Sequence, residues 1–181
     1  MKKITIATVI ACTGMSCFAA ATFSYDLPSL DEHAQYSRAV EEVKHGNPDF
    51  AFLQFRELLD NFPDSKYAER SLFAVGEYYF QKTNFREASS TFFEFIDKYP
   101  DSPAVIFALS YLLQVSQAHN DAAAIEQLTK TIVTFHRLSL VFRNSQEYTY
   151  RSALLRKHRV IYYIDKVEFY INGELFAQIP Y

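Results

Sequence analysis

The sequence predicts a mainly α fold, an array of about three antiparallel helical hairpins with a small β-hairpin at the C-terminal end. Three observations predict it. Apolar residues recur every three or four positions across residues 32–138, the period of amphipathic helices. A block of residues recurs 37 positions further on. Asn172-Gly173 separates two β-prone runs near the end. The composition agrees. A chain of 181 residues, 49% hydrophobic, can bury one core, and 4 Gly and 6 Pro are too few for a turn-rich all-β chain. A formal net charge of −3 gives no reason to expect nucleic acid as a partner.

Residues 1–21 read as a signal peptide. Lys2 and Lys3 form a positive start, Ile4 to Ala11 is apolar, and Ala19 and Ala21 supply the small residues for cleavage before Thr22. The apolar run is too short to span a bilayer. Both cysteines, Cys12 and Cys17, lie inside this leader, which excludes a disulfide framework and a four-cysteine zinc site. Val9-Ile10-Ala11-Cys12 resembles a bacterial lipobox, and Gly14-Met15-Ser16-Cys17 is the second candidate. Two outcomes stand open: lipidation of Cys12 or Cys17, or plain cleavage that discards both. Residues 22–31, with Pro28, read as a tether.

The helices follow. Tyr36, Ala39, Val40 and Val43 mark the first, and Ala51, Phe55, Leu58 and Leu59 the second. Leu72, Val75 and Tyr79 mark the third, and Ala88, Phe92, Phe95 and Ile96 the fourth. Asp60-Asn61-Phe62-Pro63-Asp64-Ser65 is echoed 37 residues on by Asp97-Lys98-Tyr99-Pro100-Asp101-Ser102. Asn47 and Ala51 are echoed by Asn84 and Ala88, and Phe55 by Phe92. Separate blocks that keep one offset indicate an internal repeat.

The second repeat, Leu72, Val75, Gly76, Tyr79, Ala88, Phe92 and Pro100 in order, resembles the tetratricopeptide (TPR) motif. Small Gly76 and Ala88 let the paired helices approach, Tyr79 and Phe92 fill the space between them, and Pro100 ends the second helix. Asp64 or Ser65, and Asp101 or Ser102, are placed to cap the helices that follow. The first repeat keeps Ala51, Phe55 and Pro63 but carries Gln35, Arg38, Ala39 and Glu42 in its first helix. A polar outer face suits a terminal capping repeat. The third is degenerate, with helices over 104–117 and 122–138 and no closing proline.

Residues 139–181 read as a C-terminal helix plus a β-hairpin. Tyr148 to Arg159 reads as a basic helix, and Asn172-Gly173 as a type I′ turn between Val167–Ile171 and Glu174–Ile179. A lone hairpin is barely stable. It must pack on the last helix, pair with a strand at Val160–Ile164, or join a partner's sheet. On this reading the array folds without residues 160–181.

No enzyme motif is present. There is no phosphate loop, H-E-x-x-H or G-x-S-x-G, and the expectation is a non-enzymatic chain without cofactor or metal. The five histidines, 33, 45, 119, 136 and 158, show no i, i+4 pair and read as surface or helix-end residues. Residues 22–103 carry a net charge of −7 and residues 104–181 of +2, so an acidic repeat face could dock a basic partner segment. Tyr78, Phe80 and Phe93 lie off the consensus stripe and are the candidate lining of a peptide groove.

The stretch from Leu58 to Ala104 resembles the periplasmic TPR family. That family includes the outer-membrane protein assembly lipoprotein (BamD-like) and the Tol-associated periplasmic coordinator. The resemblance covers residues 32–138. It implies a protein–protein interaction scaffold in outer-membrane protein assembly or envelope maintenance. Another envelope protein or peptide segment would be the partner, the periplasm the location, and a lipid on Cys12 or Cys17 the membrane contact. The alternative is an anchoring protein that acts through its C-terminal β segment, as a piece of a longer chain.

Overall fold

A computed structural model describes residues 31–142 and 147–180. The signal peptide, Cys12, Cys17 and nearly all of the tether lie outside the described residues. The helices are α1 (Glu32–Lys44), α2 (Pro48–Asn61), α3 (Ala68–Gln81), α4 (Phe85–Lys98), α5 (Val105–Ala118) and α6 (Ala122–Phe142). The strands are β1 (Glu147–Arg151), β2 (Lys157–Tyr162), β3 (Lys166–Ile171) and β4 (Glu174–Pro180). Each helix packs on the next in sequence, so the chain is a TPR-like array of three hairpins with a β element after it.

The 37-residue period governs the backbone. Helices α2, α4 and α6 begin at Pro48, Phe85 and Ala122, 37 residues apart each time. The turn inside each hairpin carries one left-handed residue at the same place: Gly46 (φ 78°), Thr83 (φ 57°) and Asn120 (φ 55°). The next amide reaches back to the helix it leaves, from Asn47 to Glu42, Asn84 to Tyr79 and Asp121 to Ser116. This closes the last turn in the Schellman manner and satisfies carbonyls that the helix end would leave free.

Between hairpins, Ser65 and Ser102 close the turns that lead into α3 and α5, whose N-cap residues Tyr67 and Ala104 make no side-chain cap of their own. Their Oγ atoms accept from the amides of Tyr67 and Ala104, both at 3.1 Å. Pro63 and Pro100 sit just past the ends of α2 and α4, where a proline cannot extend a helix. Inside the second hairpin, Ala88 and Phe92 are fully buried and the Phe92 ring lies against Gly76. A methyl group placed on Gly76 would come within 2.8 Å of that ring. Close approach, more than backbone freedom, is why glycine stands there. In α1, Gln35 and Ala39 are buried while Arg38 is exposed, so the polar character of the first helix is shared between core and surface.

The C-terminal segment differs from the sequence expectation in two ways. The basic helix over Tyr148–Arg159 is absent: that stretch forms β1, a turn, and the start of β2. Tyr148 and Tyr150 alternate with Glu147, Thr149 and Arg151, and the tyrosines stack on Phe107 of α5. Aromatic burial against α5 outweighs the weak helical preference of a basic stretch. The hairpin is also not alone. It belongs to an antiparallel sheet of four strands in the order β1-β2-β3-β4. Val160 in the expected third strand pairs with Phe169. Asn172 (φ 54°) and Gly173 (φ 93°) form the left-handed turn between β3 and β4.

The sheet and array share one core. A cluster of buried residues runs from Leu72, Phe92 and Phe107 through Leu112 and Ile132 to Val160, Phe169 and Ile179. A second cluster joins Ala39, Phe55 and Val75 to Ala153 and Leu154, which lie in the β1–β2 turn. That turn thus reaches back to the first hairpin. Burying these side chains contributes about 1.5–3 kcal/mol each, which is why the four strands stay on the helices.

Candidate functional site

The seam between array and sheet is built from two helical stripes. Phe73, Glu77 and Phe80 follow i, i+4, i+7 spacing on α3, and Phe107, Tyr111 and Gln114 do so on α5. That spacing puts each set on one helix face. All six meet the sheet. Phe73 packs edge-on against Tyr150 and His158. Phe107 meets Tyr148, Tyr150, His158 and Phe169. Phe80 and Tyr111 hold the ring of Phe176. The Gln114 amide donates to the Phe176 carbonyl at 2.9 Å.

Phe176 reaches the helices because β4 is irregular. Phe169 pairs with Ala177 and Tyr170 with Leu175, which leaves Phe176 as the extra residue of a bulge. A bulge turns a side chain away from the regular alternation.

At the centre of the seam, Glu77 is a fully buried carboxylate. Its Oε1 accepts from the Tyr111 hydroxyl at 3.1 Å and lies 3.1 Å from His158 Nε2. Tyr111 and His158 are 3.2 Å apart in turn. A proton on Nε2 is the arrangement that satisfies this triangle. Burial pushes the Tyr111 phenol well up, the Glu77 carboxylate adds to this, and the Arg156 guanidinium opposes it. Tyr150 is also pushed up, by burial first and by Glu77 next. Its hydroxyl has no hydrogen-bond partner, nor do Glu77 Oε2 and His158 Nδ1.

His158 corrects the reading of the histidines as surface or helix-end groups. His45 and His119 do sit at helix ends, and His33 is exposed. His158 is buried because strand alternation turns His158, Val160 and Tyr162 inward and Arg159 outward. The Glu77, Tyr111 and His158 triangle had no local signal in the sequence. The three residues lie on three elements, and only packing brings them together.

The candidate groove residues are dispersed. Tyr78 stacks on Phe52 (4.1 Å) and donates to Asp49 at 2.8 Å, where Lys82 also pairs at 2.7 Å. Phe80 lies beneath Phe176 of the sheet. Phe93 is on α4 and 55% exposed. The motif residues Leu72, Val75 and Phe55 are in the core, and Tyr79 is part-buried, accepting from Arg56 at 2.9 Å.

On the outer face of the sheet, the Arg159 guanidinium covers the Tyr170 ring at 4.7 Å. Glu168 binds Lys166 (2.8 Å) and accepts from Tyr170 (2.6 Å), and these two hold its carboxyl below the usual range. Ile164, at the β2–β3 turn, is 101% exposed. Among the described residues no helix is long and apolar enough to cross a membrane, and no group of His, Cys, Asp and Glu could hold a metal ion.

Three stacked hairpins with a 37-residue period, and Gly76 of α3 held against Phe92 of α4, define a TPR-like helical-repeat protein. Residues 28–163 match the family model YfiO, described as outer membrane lipoprotein. The chain belongs to this family of outer membrane lipoproteins. The outer membrane protein assembly factor BamD of Caulobacter vibrioides is 29% identical over 97 residues, which cover 51% of this chain. The match spans 32% of that relative's length.

Proposed function

We propose that the chain is a non-catalytic scaffold that binds another envelope protein, in outer-membrane protein assembly or envelope maintenance. The observation that carries this reading is the family match, which runs through all six helices and the first two strands. The relative's name adds assembly at the outer membrane as the process. A periplasmic location with a lipid on Cys12 or Cys17 is part of the same proposal. Because Phe80 is covered by the sheet, partner contact falls to outward residues such as Phe93. The test is photocrosslinking in intact cells from outward positions on α2, α4 and the β2–β3 turn. Trapping of an envelope protein is expected. Absence of any protein adduct from all three elements would overturn the reading.

A second reading is envelope anchoring through the C-terminal β segment. One observation favours it: Ile164 stands fully exposed beside half-exposed Tyr163 at the β2–β3 turn. Adducts formed from position 164 alone would select it.

A further inference from the structure

We infer that the outer face of α2 is a docking surface for a cationic amphipathic helix of a partner protein. The inference rests on the scaffold reading and names the partner's chemistry and the place where it binds. Phe50, Leu53, Glu57 and Asp60 follow i, i+3, i+7, i+10 spacing, so they form one stripe about 15 Å long on the helix. All four are exposed, with Phe50 at 64% and Leu53 at 57%.

The repeat itself shows that the apolar half of this stripe is not needed for folding. The positions 37 residues on are Glu87, Ser90, Glu94 and Asp97, and those a further 37 on are Ala124, Gln127, Thr131 and Thr134. The second hairpin keeps the two acids but has no large apolar side chain at the first two places. It forms α4 all the same. Helix α2 buries Ala51, Phe55 and Leu58 on its other side, so its core contacts do not come from Phe50 or Leu53.

The charge pattern selects the occupant. Neither Glu57 nor Asp60 pairs with a basic side chain among the described residues, and Arg56 is turned to Tyr79. Two apolar groups followed by two free carboxylates fit a helix with apolar residues at i and i+3 and Lys or Arg one and two turns on. A second copy of this chain does not fit. An antiparallel pair of α2 helices would set Phe50 against Asp60, and a parallel pair would set carboxylate against carboxylate. An anionic lipid surface is repelled by the same two acids.

The test places a benzoyl-phenylalanine at Phe50, aromatic for aromatic, in the full chain expressed in its native cells. The repeat-equivalent Glu87 serves as the control position. The expected result is a protein adduct from position 50 and none from 87, with a crosslinked peptide that carries basic residues at helical spacing. Glu57→Lys with Asp60→Lys removes the adduct, whereas Glu94→Lys with Asp97→Lys leaves it. Unchanged thermal melting of both pairs shows that folding is intact. Silence at position 50, an adduct with the chain itself or with lipid, or an adduct indifferent to the α2 charge reversal overturns the inference. If position 93 still traps an envelope protein while 50 is silent, the scaffold reading survives and this surface alone is rejected.

Discussion

Glu77 Oε1 of α3 and His158 Nε2 of β2 lie 3.1 Å apart, and neither side chain reaches solvent. The contact ties the helical array to a residue that the sequence reading places in a basic helix, and that the structure places in β2. Tyr111 closes it from α5 at 3.1 Å from the same carboxylate oxygen. Removing one partner leaves the other polar, buried and without its hydrogen bond, which costs about 1–3 kcal/mol. His158→Ala and Glu77→Ala should each lower the free energy of urea unfolding by that amount. The pair Glu77→Leu with His158→Leu should lose less than the sum. Single variants within 1 kcal/mol of the parent, on the order set by an exposed pair, would show that the contact is not a lock.

Tyr150 carries a buried hydroxyl without a partner. Tyr150→Phe removes that cost and should raise stability by about 1 kcal/mol. The same change bears on alkaline pH. Tyr111 and Tyr150 hold their protons in the fold at pH values where an unfolded tyrosine, with a value near about 10, has released them. The folded state then binds more protons, so stability is complete below that value and falls as pH rises beyond it. Urea midpoints measured upward from pH 9 should decline, and more gently in Tyr150→Phe.

Thr83 is a β-branched residue at φ 57°, where the equivalent turns use Gly46 and Asn120. The left-handed region costs such a residue about 1–2 kcal/mol. Thr83→Gly should therefore stabilise the fold by about 1 kcal/mol after the extra entropy of glycine is counted. A differential melt of the two chains checks it, and a lower melting temperature for the glycine variant would count against the strain.

Gly76→Ala should destabilise by about 1–3 kcal/mol through overpacking. The Phe92 ring that the new methyl group would meet is itself stacked on Tyr111 at 4.8 Å, so it has little room to yield. Chemical denaturation reads this directly, and a silent substitution would contradict the close approach of α3 and α4.

Deletion of residues 147–181 should abolish cooperative melting. It uncovers Phe73, Phe107 and Tyr111, which the sheet buries. Far-UV circular dichroism with a dye for exposed apolar surface measures both effects. A sharp transition in the truncated chain would show that the array stands alone.

Much of the fold could be read from residues close in sequence. The apolar spacing of α1 to α4, the turn prolines, Ser65 and Ser102, and the Asn172-Gly173 turn all depend on neighbours a few positions apart. The seam could not be read in this way. Tyr148 and Tyr150 showed a two-residue alternation, but four basic residues between 151 and 159 masked it as a helix face. Phe80 lies off the consensus stripe in the sequence. Whether a peptide or the chain itself covers it is a question of what lies 96 residues further on, at Phe176.

The sequence by itself determined that this is a helical-hairpin repeat of period 37 with a β-turn near its end, because backbone preference and amphipathic period are local properties. Only the tertiary structure decided that β1 is a strand, that His158 is a core residue bound to Glu77, and that α3 and α5 carry a sheet. The physical reason is distance along the chain. Tyr111 and His158 are 47 residues apart and Gln114 and Phe176 are 62. Burial of a shared aromatic core, not local propensity, is what brings them together.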